Sequence, residues 1–364
     1  MFNIYEFFNR INELDPKIRL DAGQPDIPVD GEIIAETVRA LRAGETGYTP
    51  TAGIGELREA IANLEGVSPE EVMVGPGAKI FISAVVARAR RIAVVSPHWN
   101  AYTLIANEFK KDVEVIKTRL EDGWLPQVEE INADLLILNY PNNPTGRVPS
   151  REELKGILEA AEERGIKVLS DEVYAELSFK EHTPVRELYE NTITVKGFSK
   201  LYSMTGFRLG YAIAQREDAK KLREFIEVTA TCVPPFVQRA GIKALELRDR
   251  IKKRVRNEYR MRVKRAVRIL NGLEFYPPEG AFYVFLRVPG DGLSFAERLL
   301  NRGVAVFPGV AFGDYRNFIR ISLTWKGFEE GLKIIREEVE CASESSATGR
   351  WEGSSGSASA GSTR

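Results

Sequence analysis

The chain has 364 residues, with 51 lysines and arginines against 52 aspartates and glutamates, and 43% of its residues are hydrophobic. That length suits a large domain with a smaller one beside it, and the charge balance argues against a nucleic-acid binder, which carries a basic excess. The two cysteines (Cys232, Cys341) and two histidines (His98, His182) show no metal-ligand spacing, so no metal is expected.

At the N-terminus, Ile4, Phe7, Phe8, Ile11 and Leu14 recur at helical spacing, interrupted by Glu6 and Arg10. The pattern predicts an amphipathic helix rather than the apolar core of a secretory signal. No stretch approaches the roughly 18 apolar residues that a membrane span needs. With the low cysteine count, this leads to the expectation of a cytoplasmic protein without a membrane partner.

Further along, DLLILNY at 134–140 reads as a buried strand. REELKGILEAAEERG at 151–165 reads as a helix, with Leu154, Ile157, Leu158 and Ala161 on one face. Ser150 and Glu153 form a capping-box pattern, and Gly165 suits the stop. IKVLSDEVY begins a second strand at 166, and NTITVKGFS a third at 191. Strand–helix–strand order predicts parallel strands joined by right-handed crossovers. A long helix is expected around 250–270, with Ile251, Val255, Tyr259, Val263, Val267 and Leu270 on one stripe. AFYVFLRV, GVAVFPG and NFIRISL then look like strands of a smaller unit. The expected fold is α/β: a large domain with a mostly parallel central sheet and flanking helices over 31–247. A smaller α+β domain would be built from 1–30 and 248–341. Residues 342–364, almost all Ser, Gly, Ala and Thr, read as a disordered tail.

Each of the three strands leads to a different polar group: Asn143 in YPNNPTG, Asp171 in SDEVY and Lys200 in GFSKLYS. In open α/β sheets the ligand crevice lies beyond the carboxyl ends of the strands. An amide, a carboxylate and an amine would therefore meet in one crevice. Singly each has a plain reading: a turn for NPTG, a strand-end cap for Asp171, a solvated surface group for Lys200.

In this order the motifs resemble the fold-type I pyridoxal-phosphate enzymes, specifically the class I/II aminotransferases. SKLYSMTGFRLGY at 199–211 is similar to that family's SKxxxMxGxRxGY segment. DAGQPD, GYTPTAGIGELREAI, GPGAK, PHWNAY, NYPNNPTG, SDEVY, PEGAFYVF, VFPGVAFG and FIRISL follow the family order from 21 to 323. The resemblance implies a large domain like that of pyridoxal-phosphate transferases. Lys200 would carry pyridoxal 5'-phosphate as an imine and move the substrate proton. Asp171 would face the pyridine nitrogen, making the ring an electron sink. Asn143 and Tyr174 would bond the ring hydroxyl, and Trp99 would stack on the ring. Backbone N–H groups of Gly77, Ala78 and Lys79, with Arg208 and Ser199, would hold the phosphate. Many relatives have a serine where this chain has Gly197, so the number of hydroxyls there is open. Tyr48 resembles a tyrosine that reaches the neighbouring subunit's phosphate, which implies a homodimer. Arg320 would clamp the substrate α-carboxylate, with Gly23 beside it. Lys196 lies outside the motif and reads as structural or solvated.

The reaction implied is transfer of an amino group from an L-amino acid to a 2-oxo acid, with 2-oxoglutarate the expected acceptor, by a ping-pong cycle. The alternative is a lyase or decarboxylase on the same scaffold, because fold does not fix reaction. Aspartate or glutamate, an aromatic amino acid and alanine all stay open as donors. Lys79, Arg19 or a group of the neighbouring subunit could meet a second carboxylate.

Overall fold

The computed structural model describes residues 4–127 and 130–348. Twelve strands occur among them. In chain order they are β1 Ile18–Arg19, β2 Val72–Gly75, β3 Arg91–Ser96, β4 Asp112–Lys117, β5 Leu135–Asn139 and β6 Lys167–Asp171. They continue with β7 Thr192–Gly197, β8 Gly210–Ile213, β9 Tyr283–Arg287, β10 Val304–Ala305, β11 Phe307–Pro308 and β12 Phe318–Ser322.

Seven strands form the central sheet in the order β2-β8-β7-β6-β5-β3-β4. Only β8 runs antiparallel to its neighbours β2 and β7; the other pairings are parallel. Residue alternation assigns the two faces. Ile92, Val94, Leu135 and Ile137 join one core with Phe81, Ile82, Leu222 and Ile226 of the helices Lys79–Arg88 and Arg216–Thr229. Ala93, Val95, Leu136 and Leu138 pack instead with Leu154, Ile157, Leu158 and Ala161 of the helix Arg151–Glu162. Covering both faces is what allows all five residues of β5 to be buried. Strand β4, with Asp112 and Lys117 exposed, closes the edge with charge, which discourages pairing with another chain. The capping box at Ser150 is present: Glu153 N–H donates to Ser150 Oγ at 3.2 Å, and Ser150 N–H to Glu153 Oε2 at 2.7 Å.

A second sheet, β11-β12-β9, is antiparallel and holds Arg320 in its middle strand, opposite Phe285 and Phe307. The two chain ends meet here. β1 pairs with β10, and Phe7 of the helix Ile4–Leu14 lies 6.0 Å from the Phe307 ring. The long helix Arg248–Ile269 buries Ile251, Val255, Tyr259 and Val263 as the stripe predicts. It also buries Arg262, which the pattern does not predict; Asp26 Oδ1 accepts from that guanidinium at 2.9 Å.

One expectation is corrected. The disordered tail expected over 342–364 is helical in its first residues, because the last helix runs from Phe328 to Thr348. Ala342 and Glu344 are good helix formers that carry the helix onward, and Ser343 is accommodated in it with its Oγ donating back to the Val339 carbonyl at 2.8 Å. Residues 349–364 lie outside the described part. Among the described residues, no helix is long and apolar enough to cross a membrane.

Candidate active site

The ends of β5, β6 and β7 open, as three adjacent parallel strands must, on one side of the sheet. A cavity of about 540 Å³ lies there, closed from the other side by Gly23, Tyr283, Phe307, Phe312 and Arg320. Asp171 is the last residue of β6 and is 2% exposed. Its Oδ2 accepts from the Tyr102 hydroxyl at 2.6 Å, and its Oδ1 from the Val173 N–H at 3.2 Å. Burial pushes the Asp171 carboxyl up to about 6, while these two donors pull the other way.

Lys200 sits in the turn after β7. Its Nζ donates to the Gly23 carbonyl at 2.7 Å and lies 5.7 Å from the Tyr174 ring. Burial first, then the nearby Arg320 cation, brings this amine down to about 8. An ammonium stripped of water loses its hydration, so the neutral, nucleophilic form becomes accessible. Gly23 has to be glycine, since a Cβ there would overlap the Tyr283 hydroxyl.

Arg320 is buried among the rings of Tyr283, Phe312 and Phe307, at 4.6, 4.8 and 5.4 Å. Its Nη1 donates to Asn143 Oδ1 at 3.1 Å and its Nη2 to the Asp21 carbonyl. Its Nε is buried without a partner among the described residues. The Asn143 backbone is itself fixed by Asn139 Oδ1 at 2.9 Å. Tyr174 and Tyr283 share a hydrogen bond of 2.8 Å between hydroxyls, and burial holds the Tyr174 phenol well above its ordinary value, so it stays protonated.

At the far end, Lys79 and Arg208 face the cavity with Ser199, Ala78 and Trp99. The Lys79 ammonium lies 4.9 Å from the Trp99 ring, and its pKa is lowered by burial and by Arg208. Gly77 does not itself line the cavity. With φ of 82° it turns the chain into the helix Lys79–Arg88, and a Cβ on it would come within 2.5 Å of Arg208 Nη2. Its role in the fold is to make room for that guanidinium. Four cationic side chains (Lys79, Lys200, Arg208, Arg320) thus face two carboxylates (Asp21, Asp171), and Asp21 is already held by Arg19 at 2.8 Å. The surplus favours ligands with two or more negative charges.

A family model for class I and II aminotransferases matches residues 15–335. An aspartate aminotransferase of Thermococcus kodakarensis is 68% identical over 360 residues, covering 99% of both chains. The chain belongs to the class I and II aminotransferases. Among solved structures, an aspartate aminotransferase of Thermotoga maritima superposes with a TM-score of 0.87 at 33% identity, covering 93% of this chain and 96% of its own. An aromatic aminotransferase of Pyrococcus horikoshii gives 0.84 at 32% identity, over 92% and 98%. This aminotransferase moves amino groups between amino acids and 2-oxo acids; nothing in these likenesses supports the lyase or decarboxylase alternative.

Of the residues singled out from sequence, Gly23, Ala78, Lys79, Trp99, Asn143, Asp171, Tyr174, Ser199, Lys200, Arg208 and Arg320 line this one cavity. Tyr48 does not; it is 90% exposed. Tyr102, Tyr283 and Asn139 were not singled out, yet they orient Asp171, Tyr174 and Asn143. Tyr102 closes the PHWNAY motif, so its place there was the available signal. Tyr283 and Asn139 read as ordinary strand residues, and only packing reveals their partners.

Proposed function

We propose that this aminotransferase holds pyridoxal 5'-phosphate on Lys200 and exchanges amino groups between L-aspartate and 2-oxoglutarate. The observation that carries the reading is a buried amine lowered to about 8 that shares one cavity with Asp171 and three further cations. The residues fit the group. Arg208, Ser199 and the backbone N–H groups at Ala78 and Lys79 would form an anion cradle at a helix N-terminus, suited to a phosphate. Trp99 offers a flat face, Asp171 an anion and Asn143 with Tyr174 an amide and a neutral phenol. The buried, unpartnered Nε of Arg320 marks a donor that a carboxylate would complete.

When bound, pyridoxal 5'-phosphate supplies an aldehyde carbon and a protonated pyridine ring that accepts an electron pair from the substrate Cα. Arg320 would take the α-carboxylate in two hydrogen bonds, which fixes the direction of the Cα–H bond. Lys200 Nζ would accept the Cα proton and return it one position along. Asp171 Oδ would hold the proton of the ring nitrogen, and a cation placed against it would keep that carboxylate ionised at neutral pH. Tyr174 would donate its hydroxyl proton without ever losing it.

The choice of aspartate is supported by the name of the relative at 68% identity. Lys79 supports it too: among the described residues its ammonium has no carboxylate partner, and it could meet the second carboxylate of a dicarboxylic substrate. The high exposure of Tyr48 supports a homodimer in which that phenol reaches the partner's phosphate. We also take residues 31–247 as the domain that carries the cofactor and 1–30 with 248–341 as the one that carries Arg320, and the protein as cytoplasmic.

The test is direct. Purified protein, pyridoxal 5'-phosphate, L-aspartate and 2-oxoglutarate are incubated, and oxaloacetate and glutamate are measured. Equal amounts of the two are expected. Turnover with another donor but not aspartate rejects the substrate; no turnover with any donor rejects the reading.

A further inference from the structure

A second set of charged side chains is buried outside the catalytic cavity. Lys196 Nζ lies 2.9 Å from both carboxylate oxygens of Glu65 and 3.8 Å from Glu172 Oε2. The side chains of Glu65, Glu172 and Lys196 are 5%, 1% and 12% exposed, so all three charges are held almost out of water. Glu65 also accepts from Arg186 Nη2 at 3.0 Å and from the Tyr211 hydroxyl at 2.7 Å. Glu172 accepts from the Ser170 hydroxyl at 3.0 Å and the Val185 N–H at 3.2 Å, and faces His182 Nε2 at 3.3 Å. A cleft lined by Glu65, Glu176, His182, Arg186, Lys196 and Arg248 borders the group.

Burying an ion pair is poor value for stability, because desolvation offsets most of the attraction. What such a pair does fix is position. Glu172 directly follows Asp171, and Lys196 precedes Lys200 by four residues. Strands β6 and β7 are in register at Asp171 and Val195, and the Glu172 N–H donates to the Val195 carbonyl at 2.9 Å. Beyond that bond the two chains separate, one toward Tyr174 and the other toward Lys200. The ammonium of Lys196 lies where they part, and Glu65 ties it to the end of the helix Gly55–Glu65.

We propose that Lys196 is a positioning residue, whose bridge to Glu65 and Glu172 fixes the spacing between Asp171 and Lys200. The proposal rests on the cofactor reading given above. Its charge also offsets that of Glu172, the carboxylate next to Asp171. Losing it would leave the site more negative, which favours protonation at Lys200, a group that otherwise feels Asp171, Arg208 and Arg320.

The experiment compares cofactor-loaded wild type with Lys196→Met and Lys196→Arg. The readouts are the pH midpoint of the bound cofactor's absorbance, the cofactor Kd, kcat and KM. For Lys196→Met the midpoint should rise by about half a unit or more. Its kcat should fall about tenfold or more, while KM stays within about threefold. Lys196→Arg should restore the midpoint. A methionine variant with the wild-type midpoint and cofactor Kd, and only a lower Tm, overturns the proposal. If Lys196→Met does not fold, the double variant Lys196→Met/Glu65→Gln removes the cation together with a charge it faces; its net charge is unchanged, so it is judged on kcat and cofactor Kd, and wild-type values of both overturn the proposal. A wild type that carries no cofactor on Lys200 overturns both readings, whereas a loaded wild type with an unshifted methionine variant overturns the positioning role alone.

Discussion

Replacing Arg320 by lysine keeps a cation in the pocket but removes the fork. The guanidinium is buried between three rings and is steered by Asn143 and the Asp21 carbonyl, so its remaining N–H groups, the unpartnered Nε among them, have a set direction. A lysine can make one charged hydrogen bond to the α-carboxylate where arginine makes two. One such bond is worth roughly 1.5–3 kcal/mol. At about 1.4 kcal/mol per tenfold, kcat/KM for L-aspartate should fall about 10- to 150-fold in Arg320→Lys. In Arg320→Gln both charged bonds go, and the fall should reach roughly 10²- to 10⁴-fold. The assay is initial-rate kinetics over a range of aspartate concentrations at saturating 2-oxoglutarate. The control is a simple primary amine without a carboxylate, used as donor in single-turnover conversion of the bound cofactor. Its slow reaction should change less than about threefold, because Arg320 has nothing to hold. Equal losses for amine and amino acid would refute carboxylate clamping and make Arg320 a packing residue.

Four further outcomes are expected. Lys200 is lowered from 10.5 to about 8 in the folded protein, so its penalty on folding is full below pH 8 and fades as pH rises toward 10.5. The rate of cofactor uptake by cofactor-free protein, followed by absorbance, should accordingly rise about tenfold per pH unit and level off near 8; a rise continuing past 10 contradicts the buried amine. Tyr102→Phe removes a donor that holds the Asp171 carboxyl down, so the acid limb of kcat should move to higher pH by up to about one unit, and an unmoved limb counts against the contact. Lys79→Met should raise KM for aspartate about tenfold or more while leaving alanine within about threefold, measured side by side. Tyr48→Phe should weaken cofactor binding about fivefold in equilibrium titration without changing Tm, since the hydroxyl is exposed within one chain; an unchanged Kd removes Tyr48 from the site.

Three adjacent strands of the sheet, β5, β6 and β7, were legible because they are short apolar runs between turn signals, and the helix at 151 carries its own cap. Strands β2, β3, β4 and β8 were not named, although they make up over half of the sheet. VMVG and GYAI are only four residues long, too short for a period to show, whereas RIAVVS at β3 is an apolar run and DVEVIK at β4 alternates, so both of these carry a strand signal. The tail boundary failed for a related reason. Serine and alanine fit a linker and a helix equally well, and the helix before them decides which forms.

The sequence by itself determined the chemistry: an amine, a carboxylate, an amide and a fork-shaped cation, each at a strand end or strand centre in a motif. Those residue types are local, because each motif also sets the turn or strand that carries it. Only tertiary structure decided their electrostatics. Lys200 and Asp171 have shifted pKa values because residues distant in the chain close over them, such as Gly23, 177 positions from Lys200, and Tyr102, 69 positions from Asp171. Only the fold, likewise, showed Lys196 to be a buried bridge rather than a solvated lysine. Its partner Glu65 lies 131 residues earlier in the chain, a pairing that only packing can make.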